Sequence, residues 1–208
     1  MSTVAARILT RISADKSGDR AYTPKDFMDL GSRAGVDQAL TRLVKAGALR
    51  RIGRGLYDQP RHSAVLGGDA PANLDAAAAA IARKTGLQVI QDDLAAANAM
   101  GLTTAVPTRL SFVAARKIAD VTIGRRTIKF SRAKAALTPW IGNPAAPIVQ
   151  ALLWARATNV PMDRAAALIA RNAPKDAKKA LLGNLRRLPA WAIGPAQHIA
   201  ENQATKAG

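Results

Sequence analysis

The segment from residue 32 to residue 57, SRAGVDQALTRLVKAGALRRIGRGLY, constrains the fold more than any other part of the chain. Apolar residues recur at i, i+4, i+7 and i+8 from Val36, which predicts a helix with one buried stripe. Ala46-Gly47 predicts its end, because glycine tolerates the left-handed conformation that follows a helix. A strand-like stretch comes next, Gly53-Arg54-Gly55 turns the chain, and Leu56-Tyr57 returns it. This pattern is typical of a winged helix-turn-helix, whose helix enters the major groove of DNA while its hairpin follows the phosphates.

The exposed face of the predicted helix is polar and basic, and so is the hairpin that follows it. Four hydrogen-bond donors lie on the helix face, none of them an acid: Gln38, Thr41, Arg42 and Lys45. The hairpin carries three arginines: Arg50, Arg51 and Arg54. Surfaces that are merely solvated usually mix both signs of charge, so this pattern favours nucleic acid as the partner. A solvated amphipathic helix beside a basic hairpin is the alternative that the pattern leaves open.

Two further helices are predicted before this segment. Apolar residues at helical spacing predict the first of them over residues 3–13. Thr23-Pro24 starts the second, because threonine is a good N-cap and proline is favoured in the first helical turn. This short helix is expected over Pro24–Leu30 and stops at Gly31, after which Ser32 caps the next helix. A positioning helix, a turn and a recognition helix have the spacing of a helix-turn-helix.

The chain of 208 residues carries a net charge of +17, and every third of the sequence contributes to the excess. A body of this charge attracts polyanions and associates with them rapidly at low salt. A genome-wide bias towards arginine is the alternative explanation. The hydrophobic content of 49% is ample for a buried core, so a folded protein is expected.

The residues that most catalytic and metal sites require are scarce. The chain has no cysteine, which excludes disulfides and thiolate nucleophiles, and His62 and His198 lie far apart. Asp92-Asp93 is better explained by helix capping than by metal binding, because no third carboxylate follows at helical or strand spacing. We therefore expect no catalytic residue, no metal site and no cofactor, and we do not expect an enzyme.

The sequence also bears on localisation. Its N-terminus lacks the unbroken apolar stretch of a signal peptide. No apolar run approaches the roughly 18 residues that a membrane span needs. A cytoplasmic protein without a membrane partner is therefore expected.

The predicted fold is α+β and mostly helical, with an N-terminal winged helix-turn-helix followed by a C-terminal α+β domain ending in helices. The first domain is expected over residues 1–60, and residues 61–72, which are rich in small residues, form a linker. Residues 73–208 form the second domain, with a hairpin that carries Arg125-Arg126 at its tip. Towards its end, a basic helix is predicted over Pro174–Leu188.

We assign the helix of the first domain to base recognition and the basic residues around it to phosphate. Base-edge contacts are assigned to Gln38, Thr41 and Arg42, because glutamine pairs well with adenine and arginine with guanine. Phosphate contacts are assigned to Arg33, Lys45, Arg50, Arg51 and Arg54. Tyr57 and the hydroxyls of Thr23 and Ser32 complete the set, although capping alone would explain the two hydroxyls. Secondary phosphate contacts, with a plain solvated surface as the alternative, are considered at Arg125, Arg126, Lys175, Lys178, Lys179, Arg186 and Arg187.

The run VDQALTRLVKAGALRRIGRGLYDQP resembles the N-terminal domain of the AbiEi-family antitoxins. In that family a recognition helix leads into the wing, which closes with a glycine and a tyrosine. The matching residues here are Leu40, Leu43, Lys45, Gly47, Leu49, Arg50, Ile52, Arg54, Gly55, Leu56, Tyr57 and Pro60. The rest of the chain agrees with the family only in the order and length of its elements.

The resemblance implies the antitoxin of a type IV toxin–antitoxin system. Such a protein represses its own operon by binding double-stranded DNA at repeats in the promoter. Its C-terminal domain counters a nucleotidyltransferase-like toxin without needing a stable complex. Three alternatives remain: a stand-alone winged-helix regulator with a ligand-binding C-terminal domain, a nucleic-acid-processing enzyme that docks through the winged helix, and a nonspecific architectural binder.

Overall fold

The computed structural model describes residues 3–15, 19–65, 67–107 and 109–202. In this part of the chain the protein is α+β, with eight α-helices, three short 3-10 helices and nine short strands. Contacts divide the chain into two compact units. Unit 1 comprises Met1–Leu87 and Asp120–Ile128, and unit 2 comprises Gln88–Ala119 and Lys129–Gly208. Among the described residues, no helix is both long enough and apolar enough to cross a membrane.

The elements follow one another along the chain with short connections. They are α1 (Val4–Ser13), β1 (Ala21–Tyr22), a 3-10 turn (Pro24–Phe27), α2 (Arg33–Lys45), β2 (Arg50–Gly53), β3 (Leu56–Asp58), β4 (His62–Ser63), β5 (Gly68–Asp69), α3 (Leu74–Thr85), β6 (Val89–Gln91), α4 (Asp93–Ala99), β7 (Ser111–Ala114), β8 (Val121–Ile123), β9 (Arg126–Arg132), a 3-10 turn (Thr138–Trp140), α5 (Ala146–Ala157), α6 (Met162–Asn172), α7 (Lys175–Leu182), a 3-10 turn (Leu185–Arg187) and α8 (Ala190–Glu201). The helix predicted over residues 3–13 is confirmed as α1.

The central helix of unit 1, α2, forms as its sequence predicts. The Ser32 hydroxyl accepts a hydrogen bond from the backbone N–H of Gly35 at 3.2 Å, which satisfies one of the free donors at the helix start. The helix ends at Lys45, Ala46 is its C-cap, and Gly47 follows with a φ of +71°. Its apolar stripe packs with α1 and the first 3-10 turn around a core that includes Ile8, Ile12, Phe27, Val36, Leu40, Leu43 and Leu49.

The predicted helix over Pro24–Leu30 is wrong in length, since only one 3-10 turn forms. Its hydrogen bonds run from residue i to residue i−3, as in the 3.0 Å bond from the Leu30 N–H to the Phe27 carbonyl. An arginine of α1 takes the Asp26 carbonyl, which in an α-helix would accept from the Leu30 N–H, and a second arginine of α1 binds the Leu30 carbonyl. Arg7 donates to the Leu30 carbonyl at 2.5 Å, and Arg11 donates to the Asp26 carbonyl at 2.9 Å.

The hairpin predicted after α2 is confirmed as β2 and β3, with Gly55 in its turn at a φ of +67°. In the register of the pair, Arg50 stands opposite Asp58 and Arg51 opposite Tyr57. The two-residue strand β1 adds to the free side of β3, so that the antiparallel order is β1-β3-β2. A strand of two residues has no detectable period, and for this reason β1 escaped prediction.

Tyr22 of β1 gives unit 1 a titration that can be measured. Burial, helped by the charge and hydrogen bond of Asp15, raises the pKa of Tyr22 from an ordinary value near 10 to about 12. Because the pKa of Tyr22 is higher in the folded than in the unfolded protein, its deprotonation favours unfolding. The contribution of the protonated Tyr22 to the free energy of unfolding is fully present below pH 10 and is lost as the pH rises towards 12. We expect tyrosinate absorbance to show one group titrating near pH 12, which Tyr22→Phe removes. If the titration near pH 12 were missing in the wild type, or persisted in Tyr22→Phe, the buried position of Tyr22 would be contradicted.

Unit 1 extends beyond the boundary at residue 60 that the sequence predicts. In the expected linker, β4 and β5 pair as a small antiparallel hairpin, although Leu66 lies outside the described residues. Helix α3 then packs on β1, and its Arg83 donates to the Asp26 carboxylate at 3.1 Å and to the Ala21 carbonyl at 2.7 Å. These long-range bonds join α3 to the N-terminal elements, which no local pattern in the sequence indicates.

Unit 1 is completed by the segment Asp120–Ile128, which contains β8 and the start of β9. The two strands form the predicted hairpin, with Val121 opposite Ile128 and Ile123 opposite Arg126. Gly124 turns the chain with a φ of +57°. The tip therefore lies at Gly124 and Arg125, one residue before the predicted pair, and Arg126 already belongs to β9.

Unit 2 combines a small sheet with helices α4 to α8. Strand β7 pairs antiparallel with β6 and parallel with the second half of β9. The Asp92 carboxylate caps α4 by accepting from the Ala95 N–H at 3.0 Å, as the capping explanation of Asp92-Asp93 requires. The core of the unit is rich in alanine and surrounds the fully buried Trp140.

The single basic helix predicted over Pro174–Leu188 is wrong. Helix α7 ends at Leu182, and a separate 3-10 turn follows at Leu185–Arg187. The break coincides with Gly183, a poor helix former, and Asn184, whose amide donates back to the Ala180 carbonyl at 2.8 Å. As a result Leu181 and Leu188 are buried, whereas Leu182 remains 51% exposed.

Candidate nucleic-acid interface

The solvent face of α2 presents the four predicted donors together. Gln38, Thr41, Arg42 and Lys45 are all exposed. The Thr41 hydroxyl donates to the Asp37 carbonyl at 2.8 Å, one turn back in the same helix, so its proton is already used. Among the described residues, neither Arg42 nor Lys45 has an ion-pair partner, and both remain available to an external anion.

The start of α2 is less positive than its sequence predicts. Arg33 donates to the Asp37 carboxylate at 2.7 Å, which forms an i,i+4 ion pair on the helix surface. The i,i+4 spacing of Arg33 and Asp37 is the sequence signal for this pair. The positive charge of this helix therefore resides in its C-terminal half.

Arg50, assigned to phosphate, is a structural residue instead. Its guanidinium binds the Asp58 carboxylate with two hydrogen bonds of 3.0 and 2.7 Å, and a third donor reaches the Ala70 carbonyl at 2.9 Å. The pKa of Arg50 is raised by this hydrogen bonding to Asp58. With its donors directed at internal acceptors, Arg50 joins the two strands of the hairpin and the segment beyond β5.

Two other predicted residues, Thr23 and Tyr57, are buried and do not belong to an external surface. Thr23 is 0% exposed, and its hydroxyl and backbone N–H both donate to the Asp26 carboxylate, at 3.0 and 2.7 Å. Tyr57 is 9% exposed and packs in the core of unit 1. Ser32 is exposed, but its hydroxyl is occupied as the cap of α2.

The tips of both hairpins of unit 1 carry exposed arginines. Arg51 and Arg54 lie on the first hairpin, where Arg51 makes only a long 3.4 Å hydrogen bond to the Gly53 carbonyl. Arg125 and Arg126 lie on the second hairpin and are exposed as well. None of these four arginines has an ion-pair partner within the described ranges.

The carboxylates of unit 1 neutralise a different set of cations. Six ion pairs occur among the described residues, and all six belong to this unit: Arg11–Asp29, Arg20–Asp15, Arg33–Asp37, Arg50–Asp58, Arg61–Asp19 and Arg83–Asp26. The free cations include those of the later turns of α2 and of the two hairpins. We call this set the basic face: Arg42, Lys45, Arg51, Arg54, Arg125 and Arg126.

The secondary basic cluster of unit 2 is only partly exposed. Lys178 is 6% exposed, and its ammonium donates to the Ala170 carbonyl near the end of α6, so its assignment to phosphate is wrong. Arg187 is exposed but donates to the Pro139 carbonyl at 3.4 Å. Lys175, Lys179 and Arg186 remain exposed and make no such bond to another described residue.

Comparison with known proteins identifies a family. Among the curated proteins, none matches the chain. Among the solved structures, the crystal structure of the RV2827C protein from Mycobacterium tuberculosis is similar, with 16% sequence identity and a TM-score of 0.44 over 99% of this chain and 83% of that one. The family of unknown function DUF6088 matches residues 7–176, and the chain therefore belongs to that family.

Proposed function

We propose that the protein binds double-stranded DNA in a sequence-specific manner through unit 1, which acts as a winged helix-turn-helix. Helix α2 is the recognition helix, and the preceding 3-10 turn takes the place of a positioning helix. The β2–β3 hairpin is the wing. Helix α1 and the β1–β3 pair support these two elements from the core side.

The distribution of ion pairs carries this proposal. Internal pairing would neutralise a basic protein evenly if its charge had no external role. In unit 1 six aspartates are instead paired with arginines outside the basic face, and none of the six cations of the basic face has an ion pair among the described residues. Unpaired guanidinium and ammonium groups are the side chains that neutralise phosphate and release its counterions.

The exposed donors of α2 differ in geometry, and the geometry of each side chain determines whether it suits a base edge or a phosphate. Gln38 and Arg42 present planar, bidentate groups, which suit the base edges of adenine and guanine. Lys45 has a flexible point charge and suits phosphate. Arg51 and Arg54 on the wing also suit phosphate, whereas Arg33 and Arg50 are excluded by their internal carboxylates.

Within this proposal the biological role is that of an autorepressing antitoxin. The resemblance of the segment up to Pro60 to the AbiEi-family N-terminal domain supports binding to repeats in the protein's own promoter. The same resemblance supports a nucleotidyltransferase-like toxin as the functional partner of the C-terminal part. We expect expression of the adjacent gene alone to arrest growth and coexpression of this protein to restore it. Growth arrest that coexpression does not relieve would leave a DNA-binding regulator without an antitoxin role.

Arg54→Ala tests the wing. Because Arg54 is an unpaired cation at the hairpin turn, its loss is expected to weaken binding to cognate and random DNA alike. The slope of log K against log salt should become shallower by about one unit, as for the loss of one phosphate contact. Fluorescence anisotropy over a salt series measures both quantities. Arg164→Ala, which removes the same charge from an exposed position on α6, should leave the slope unchanged. Equal slopes for the two variants would contradict the role of the wing.

A further inference from the structure

We propose that the two hairpins of unit 1 form one phosphate-binding cleft, so that the β8–β9 hairpin is a second wing that binds the DNA backbone. This inference rests on the proposed DNA binding and extends it to a segment remote in sequence. The second hairpin follows the first by more than sixty residues, yet the segment Asp120–Ile128 belongs to the same compact unit.

Strands β2 and β8 approach each other closely. A Cβ atom placed on Gly53 would lie 3.4 Å from the Thr122 carbonyl oxygen and 3.8 Å from Cγ1 of Ile123. These are van der Waals distances, the first to the backbone of β8 and the second to one of its side chains. The strands are not paired by hydrogen bonds, since β2 is an edge of one sheet and β8 an edge of another. The hairpins therefore stand side by side, with an open cleft between them.

The cleft has a volume of about 400 Å³ and combines a basic rim with an apolar floor. Exposed guanidinium groups come from both hairpins: Arg51 from the first, and Arg125 and Arg126 from the second. Arg50 also lines the cleft, but Asp58 neutralises it. The described residues that line the cleft include no carboxylate, so an anion that enters meets three positive charges without an ion-pair partner among those residues.

The lining favours a polymer backbone over a free nucleotide. The apolar floor includes Ile52, Leu74 and Ile123, which offer no hydrogen-bonding side chain to orient a base. Binding pockets for small molecules normally place polar groups for this purpose. A phosphodiester backbone needs only cations at the rim, and the Arg51 side of that rim belongs to the proposed wing. The geometry therefore points to the DNA backbone as the occupant.

The test is the double variant Arg125→Ala/Arg126→Ala in the full chain, measured by anisotropy on the promoter fragment and on random DNA over a salt series. Losing two phosphate contacts should reduce the slope of log K against log salt by about two units. Both DNAs should be affected alike, so that the ratio of their affinities is preserved. The control is Arg164→Ala/Arg171→Ala, which removes the same charge from exposed positions on α6 of unit 2 and should leave the slope unchanged.

The outcomes separate this inference from the proposed function. Wild-type protein that does not bind DNA overturns both, whereas wild-type protein that binds DNA without preferring the promoter fragment overturns the proposed sequence-specific function alone. Preferential wild-type binding with equal slopes for the two double variants overturns the second wing alone. Saturable binding of ATP without DNA, abolished by Arg125→Ala/Arg126→Ala, would assign the cleft to a nucleotide and also overturn it. A reduced slope only for Arg125→Ala/Arg126→Ala, without ATP binding, supports the cleft.

Discussion

Replacing Asp58 with alanine is expected to lower the free energy of unfolding by about 2–4 kcal/mol, because it leaves a partly buried arginine without its counter-charge. The side chain of Asp58 is only 12% exposed and that of Arg50 29%, so water cannot fully replace the lost carboxylate. Two charge-assisted hydrogen bonds across the β2–β3 hairpin are lost as well. Urea unfolding of the full chain, followed by circular dichroism, measures the change.

The control for Asp58→Ala is Asp29→Ala. Asp29 also accepts two hydrogen bonds from one arginine, Arg11, at 2.7 and 2.6 Å, but the side chain of Asp29 is 62% exposed. Exposed pairs contribute little to stability, because water and salt screen them. We therefore expect a much smaller change for Asp29→Ala. Equal effects of the two substitutions would show that the Arg50–Asp58 pair has no special structural role and would return Arg50 to the list of phosphate contacts.

Replacing Arg42 with alanine is expected to weaken binding to the cognate site by about 1–3 kcal/mol, or roughly 5- to 150-fold, and to relax base preference at one position. The reason is that Arg42 is exposed and unpaired on the face of α2 that faces solvent beside Gln38. Binding to random DNA should fall much less, because a base contact contributes little there. Selection of binding sites from a randomised pool, before and after the substitution, identifies the position that is relaxed.

The control for Arg42→Ala is Arg171→Ala. Both arginines are exposed and lie in the last turn of their helices, α2 and α6, so the changes in charge and in helix-dipole interaction are matched. Arg171→Ala should preserve both affinity and base preference. If Arg42→Ala weakens cognate and random DNA equally, α2 does not read bases, and its assignment to the major groove fails.

Local patterns predicted the elements that local physics determines. Helix α2 has a serine cap, one apolar stripe and a glycine after its end, and each of these acts within a few residues. The β2–β3 hairpin likewise needs only its own turn. In the predicted Pro24–Leu30 helix the Asp26 carbonyl would accept from the Leu30 N–H, but Arg11 of α1 donates to it instead, and the Leu30 N–H bonds to the Phe27 carbonyl. Such long-range competition is not visible in the local sequence.

The predicted DNA contacts were wrong where a basic group or a hydroxyl forms hydrogen bonds within the protein instead. Asp58 stands directly opposite Arg50 in the hairpin register, so counting back from the turn would have revealed that pair. Thr23 cannot contact DNA, because its hydroxyl donates to Asp26 and the residue is completely buried. Lys178 is not available to phosphate, because its ammonium donates to a carbonyl near the end of α6. The amphipathic pattern of its own helix does not encode this tertiary contact.

Tertiary contacts, more than local sequence, determine which segments belong to unit 1. The sequence predicted the second basic hairpin and its arginines but placed them in the second domain. Its membership of unit 1 results from the return of the chain at residue 120 to lie beside β2. Contacts between segments so far apart in sequence cannot be read from periodicity, which reports only on neighbours along one element.

The central claim, that unit 1 recognises a particular DNA sequence, is tested most directly by a gel shift. The probe is the DNA immediately upstream of the gene, and the competitor is random DNA of equal length at increasing excess. We predict a shifted band that survives competitor and disappears with excess unlabelled probe, since specific sites bind roughly 10³-fold or more tighter than random ones. A band that random DNA removes as readily as the probe itself would contradict sequence-specific recognition and leave only the nonspecific attraction of a basic protein.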